Sequence, residues 1–148
     1  MKILPFILLW LSLSVIPIWM SDFPLAQREA EQNSKLILLN FSGSDWCLPC
    51  IRLKKDIFEK EEFSQYASTH LVLVNADFPR QSKNKIPAET KKQNEQLAEK
   101  YNPSGIFPLT LLLTPDGKQL RRWEGNPSIN ATQFVEEIKS ATATWKIN

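Results

Sequence analysis

The chain has 148 residues, 43% of them apolar and 23% charged, a make-up that fits one globular domain with a real core and excludes a disordered or repetitive protein. Its net charge of +2 is too small to argue for nucleic acid or an anionic membrane surface as a partner, and the basic run Lys83, Lys85, Lys91 and Lys92 reads as a solvated loop and helix face. Two cysteines are too few for a disulfide-framework scaffold, and with one histidine, His70, they cannot complete a tetrahedral metal site, so no metal or other cofactor is expected.

The first residues read as a targeting segment. Met1-Lys2 gives a minimal positive region and Ile3 to Leu11 an apolar core, with small residues at Ser12 and Ser14; residues 1–14 are therefore expected to be a signal peptide. The competing reading is an uncleaved anchor reaching to about Met20, since the apolar run is just long enough to span a bilayer. Either way the domain, residues 19–147, is expected outside the cytoplasm, in the periplasm or cell envelope. A lone dithiol there is either kept reduced by a partner or used as an oxidant.

Ser21-Asp22-Phe23-Pro24 has the capping side chain and early proline of a helix entry, with Phe23, Ala26 and Ala30 on one face. Leu36-Ile37-Leu38-Leu39 is a continuous apolar run of strand length, which predicts a strand covered on both faces. After the turn Ser42 to Asp45, Cys50, Leu53 and Ile57 form the buried stripe of a helix, and Phe63 and Tyr66 continue helical structure toward Ala67 after a break. His70 falls at the start of the next predicted strand, Leu71 to Val74, and reads as a structural histidine. Strand, helix, strand predicts a parallel pair. A polar loop then leads to a helix from about Ala88 to Tyr101, stopped by Asn102-Pro103-Ser104-Gly105. Leu109 to Leu113 and Lys118 to Trp123 flank the turn Thr114 to Gly117 as a hairpin, and Ala131 to Ala141 is the closing helix.

The chemistry gathers in Trp46-Cys47-Leu48-Pro49-Cys50. If Cys47 opens the helix, its sulfur sits at unpaired N–H groups and the positive end of the helix dipole, which favour thiolate, the nucleophilic form. Pro49 fits the first turn because a missing N–H is harmless there, and Cys50, one turn in, is placed to resolve a mixed disulfide. This reading expects the sulfur pair to be perched at the helix mouth within reach of other chains.

This order of elements, with Trp-Cys-x-x-Cys after the first core strand and Gly105-Ile106-Phe107-Pro108-Leu109-Thr110 before a later one, resembles the thioredoxin fold: α/β, a central mixed four-stranded sheet flanked by helices. The run Phe41 to Cys47 looks most like exported bacterial members related to periplasmic disulfide-reducing domains. The resemblance implies that Cys47 attacks and Cys50 resolves, that Pro108 is cis beside them, and that Trp46, Leu48, Pro49, Phe107 and Pro108 line a substrate groove. It further implies protein disulfides as substrates and a thiol electron donor, soluble or membrane-bound, for a monomer without nucleic acid. Leu109 replaces the threonine usual after the proline. Thioredoxins also pair a buried aspartate with a lysine behind the motif, and those positions here read Asn40 and Leu73; Asp45 is the candidate substitute as proton acceptor, against its reading as a turn or cap residue.

Leu48-Pro49 supplies no cation to stabilise thiolate, so a reductase is expected, poised nearer roughly −270 mV than roughly −120 mV. The alternatives are a static disulfide in a binding module and a soft-metal site built from the two thiolates.

Overall fold

The computed structural model of the protein describes residues 16–147, so the expected signal segment 1–14 and most of the alternative anchor lie outside the described residues. Among the described residues no helix is long and apolar enough to cross a membrane. The elements are β1 (Trp19–Met20), α1 (Phe23–Gln32), β2 (Leu36–Ser42), α2 (Leu48–Leu53), α3 (Glu61–His70), β3 (Leu71–Asp77), α4 (Ala88–Tyr101), β4 (Leu109–Leu113), β5 (Gln119–Glu124) and α5 (Ala131–Ile147).

They build a thioredoxin fold. One mixed sheet has the order β1-β3-β2-β4-β5, with β1, β3 and β2 parallel and β4 and β5 antiparallel to their neighbours. The sheet has five strands rather than the expected four. The addition is β1, whose Trp19 and Met20 pair with Leu73 and Val74; two residues inside an apolar run carry no period-2 signal.

Strand alternation divides the core. Leu36, Leu38, Leu71, Leu73 and Leu112 face α3 and α5, where Phe63, Phe134 and Ile138 meet them. Ile37, Leu39, Phe41, Val72 and Val74 face α1 and α4, through Phe23, Ala26, Ala30, Leu97 and Tyr101. Burial on both faces is what the unbroken apolar runs of β2 and β3 predict. Each fully buried leucine, isoleucine or phenylalanine contributes roughly 1.5–3 kcal/mol.

Three local features differ from expectation. The break after α2 is a π-helical turn, Lys54–Phe58, whose extra residue turns consecutive Ile57 and Phe58 both inward. His70 ends α3 instead of opening β3; its ring stacks on Tyr66 at 4.4 Å and its Nδ1 lies 3.1 Å from the Tyr66 carbonyl oxygen. Helix α5 runs six residues past Ala141 to Ile147, with the hydroxyls of Thr142 and Thr144, weak helix formers, bonded back to the carbonyls of Ile138 and Ser140.

Candidate active site

The β2–α2 turn is closed by the Gly43 carbonyl, which accepts from the N–H groups of Trp46 (3.2 Å) and Cys47 (2.8 Å). Cys47 is thereby set as the N-cap of α2, and Pro49 falls in the first turn, where its missing N–H leaves no bond unmade. The cap is sulfur: Cys47 Sγ accepts the backbone N–H of Cys50 at 3.3 Å. Cys47 and Cys50 are joined as a disulfide with Cα atoms 5.2 Å apart. Their exposure corrects the expectation of perched sulfurs, for Cys47 is only 4% and Cys50 6% exposed, while Leu48 is 56% and Ile51 45% exposed. The bridged cysteines lie on the inner side of α2 with Leu53, while Leu48 and Ile51 stand outside.

The Phe107–Pro108 peptide is cis. Phe107 meets the Trp46 indole edge-on at 5.5 Å, and Phe78 meets Phe107 at 5.4 Å, so the cis-proline segment and the cysteine turn share one aromatic rim. Trp46 is fixed on several sides. Its Nε1–H donates to the Phe78 carbonyl at 2.7 Å, the Arg80 guanidinium lies 3.7 Å over its ring, and a Cβ built on Gly43 would overlap the indole. The sequence reading placed Trp46 on the rim but missed Gly43, Phe78 and Arg80, for which the only signal was a glycine before the tryptophan and a Phe-Pro-Arg exit from β3.

On the other side of the bridge a cavity of about 360 Å³ is lined by Cys50, Asn40, Ser42, Asn75 and Lys54, among others. Leu73, expected across from Asn40, pairs instead with Leu38, and Asn75 is the residue opposite Asn40. Asn40 Nδ2 donates to Asn75 Oδ1 (3.1 Å), Thr110 Oγ1 donates to Asn40 Oδ1 (3.1 Å), and Ser42 Oγ lies 3.0 Å from Asn75 Oδ1. An amide and hydroxyl network, tied through Ser42 to the Asp77 carboxylate at 3.3 Å, stands where the resemblance led one to look for an acid and a lysine.

Asp45 points its bonds elsewhere. Its carboxylate accepts the N–H groups of Arg80 and Gln81, each at 2.9 Å, and Asn84 Nδ2 at 3.0 Å. The Arg80 N–H and the Asn84 amide hold its pKa below the ordinary aspartate value, which makes it a poor proton acceptor. None of its hydrogen bonds goes to either cysteine, so it acts as a tie for the loop after β3, the structural role weighed beside the catalytic one.

A buried cysteine pair capping a helix beside a cis-proline, on this fold, defines a thiol–disulfide oxidoreductase. Comparison with known proteins places the chain: a family model described as a thioredoxin-like domain matches residues 23–142, and the protein belongs to that family. It is 38% identical over 116 residues to a protein named disulfide bond reductase DsbH from Chlamydia pneumoniae, covering 78% of this chain and 68% of that one. A thioredoxin-related protein named DsbJ from the same organism is 26% identical over 133 residues, 82% of this chain but 37% of the relative. A solved structure titled DsbH Oxidoreductase superposes with a TM-score of 0.77 at 34% identity, covering 84% of this chain and 83% of its own.

Proposed function

We propose that the protein is a disulfide reductase that acts outside the cytoplasm as a monomer without a cofactor. The observation that carries the reading is the Cys50 N–H aimed at Cys47 Sγ at the first turn of α2. In the reduced protein that donor and the helix end favour thiolate on Cys47. Cys47 thiolate attacks one sulfur of a substrate disulfide, and the other substrate sulfur leaves as a thiol after taking a proton. Cys50, as thiolate, then attacks Cys47 Sγ and releases the second substrate thiol, leaving the Cys47–Cys50 bridge. Two electrons pass to the substrate, and a thiol donor, soluble or membrane-bound, restores the dithiol.

Support for the reducing direction comes from Leu48-Pro49, which adds no cation between the two cysteines, and from the 38% identical relative, which is named a disulfide bond reductase. The Cys50 proton passes to water in the cavity behind it, since no carboxylate lines that space. Export rests on residues 1–14 and the alternative anchor. The groove residues are Trp46, Leu48, Pro49, Phe107 and Pro108, with Arg80 added.

Equilibrating the protein with a glutathione buffer tests the direction: a midpoint nearer roughly −270 mV supports the reductase, and one near roughly −120 mV reverses it.

A further inference from the structure

The geometry points to a partner segment that carries a carboxylate beside its reacting cysteine, with Arg80 as the residue that selects it. This rests on the reductase reading and deepens it by naming the chemistry of the substrate. An open groove of about 660 Å³ is lined by Trp46, Phe78, Pro79, Arg80, Gly105 and Phe107. It therefore adjoins both halves of the active site, the residue before Cys47 and the residue before Pro108.

Its floor is aromatic, and its one charge is Arg80. The guanidinium carbon lies 3.7 Å from the centroid of the Trp46 ring, and among the described residues the guanidinium makes no hydrogen bond or ion pair. A stacked guanidinium keeps its in-plane N–H edge free, and that edge matches a carboxylate through two parallel bonds.

The protein does not satisfy that edge itself. The two carboxylates of this corner are already engaged: Asp45 by the N–H groups of Arg80 and Gln81 and by Asn84, Asp77 by Ser42, by the Ser44 N–H and hydroxyl, and by the Phe78 N–H. Asp45 grips the arginine's own backbone, which holds the charge over the groove. The segment 79–92 around it carries Arg80, Lys83, Lys85, Lys91 and Lys92 against Glu89; Asp45 is bonded to the segment and Glu95 pairs with Lys91, so the local surplus is small but positive and favours an acidic chain. An acidic peptide laid along Phe107 would place its apolar groups on the aromatic floor and its carboxylate on Arg80.

The test uses the full chain, reduced, and oxidised peptides alike except for Glu, Gln or Lys flanking one cysteine. The Glu peptide should react about fivefold faster than the Lys peptide at low salt, the scale of a favourable exposed charge pair, with the gap closing as salt rises. In Arg80→Gln the ratio should fall to near one, and Arg80→Lys should keep part of it. A ratio near one in the unmodified protein, or one that survives in Arg80→Gln, overturns the inference and leaves the arginine as a prop for Trp46. A second measurement needs no electron transfer: cysteine-free Glu and Lys peptides are titrated into the oxidised protein and followed at the Trp46 indole N–H by NMR. Selective response to the Glu peptide, lost in Arg80→Gln, supports the inference even if no peptide is reduced, an outcome that would overturn only the reductase reading. Equal response to both peptides overturns the inference.

Discussion

The two sides of the Cys47–Cys50 bridge are built from opposite materials. In front, Trp46, Phe78 and Phe107 make an aromatic rim with a cation over it; behind, Asn40, Asn75, Ser42 and Thr110 make an amide and hydroxyl network, bonded through Ser42 to Asp77, beside a cavity that Lys54 also lines. Aromatic faces and an unmatched guanidinium are suited to binding a chain and add nothing to proton transfer. Amides that do not ionise can hold water and shape a space, yet offer no base. On the proposed function the contrast becomes a division of labour: recognition and attack would fall to the front with Cys47, proton release and resolution to the rear with Cys50.

The largest effects come from separating the sulfurs. Cys47→Ser should lower disulfide reduction by several orders of magnitude, because the hydroxyl is not appreciably ionised near neutral pH. Cys50→Ser should keep attack and lose release, so a covalent complex with a substrate protein accumulates and is seen as a mass shift removed by reductant. Equal trapping by both variants would erase the division. Next comes Gly43→Ala, which forces a methyl group into the Trp46 indole and should destabilise the fold by about 1–3 kcal/mol, the range for overpacking. Denaturant unfolding measures the loss, and the Trp46 indole signal reports whether the front rim moved. An unmoved indole with full stability would show that the rim is not fixed by this contact.

How much of this was legible in the chain follows from what is local. The apolar runs Leu36 to Leu39 and Leu71 to Val74 declare doubly covered strands, and the helix Ala88–Tyr101 is bounded by Pro87 and Asn102 as its local signals predict. The cysteine motif and Pro108 were legible for the same reason, each being a short pattern with its own geometry. The rest depends on partners far along the chain. Asp45 meets loop residues 35 to 39 positions away, and only the β2–β3 register puts Asn75 rather than Leu73 across from Asn40. Arg80 looked like one cation in a polar loop because nothing local says that it folds back over Trp46. The depth of the cysteines was hidden likewise, since it depends on how the β2–α2 turn packs against residues distant in the chain.

Asn40→Asp probes the rear. Burial beside Asn75 raises the new carboxyl's pKa above its unfolded value, and the charged form faces the Asn75 oxygen instead of donating to it. The native state then binds more protons than the unfolded one, so the variant is closest to the parent in acid and loses stability as pH rises through the unfolded and then the folded pKa. At neutral pH the deficit should be about 1–2 kcal/mol, the lower part of the range for a poorly matched buried polar group, because the cavity admits water. The same carboxylate is a base beside Cys50 and should speed release of the mixed disulfide above its own pKa. A destabilised variant with unchanged release would separate the network's structural role from proton handling; a neutral substitution on both counts would break the comparison at the rear.

Asp45→Asn gives the smallest effect and the sharpest sign. The parent carboxylate has its pKa lowered by the Arg80 N–H and the Asn84 amide, so its contribution to stability is present above the unfolded aspartate pKa and is lost as pH falls through the lower folded value. The parent should therefore exceed Asp45→Asn in thermal midpoint at neutral pH, and the two should converge in acid, where both carry a neutral group. The group is at the surface, so the difference is modest and shrinks with salt. Its consequence is local: with the tie weakened, Arg80 loses its fixed place over Trp46, and preference among charged peptides should decline while reduction of a neutral peptide persists. If reduction of all peptides fell together and the pH dependence of Cys50 release shifted, Asp45 would belong to the proton chemistry of the rear after all, and the line between the two sides would have to be redrawn through it.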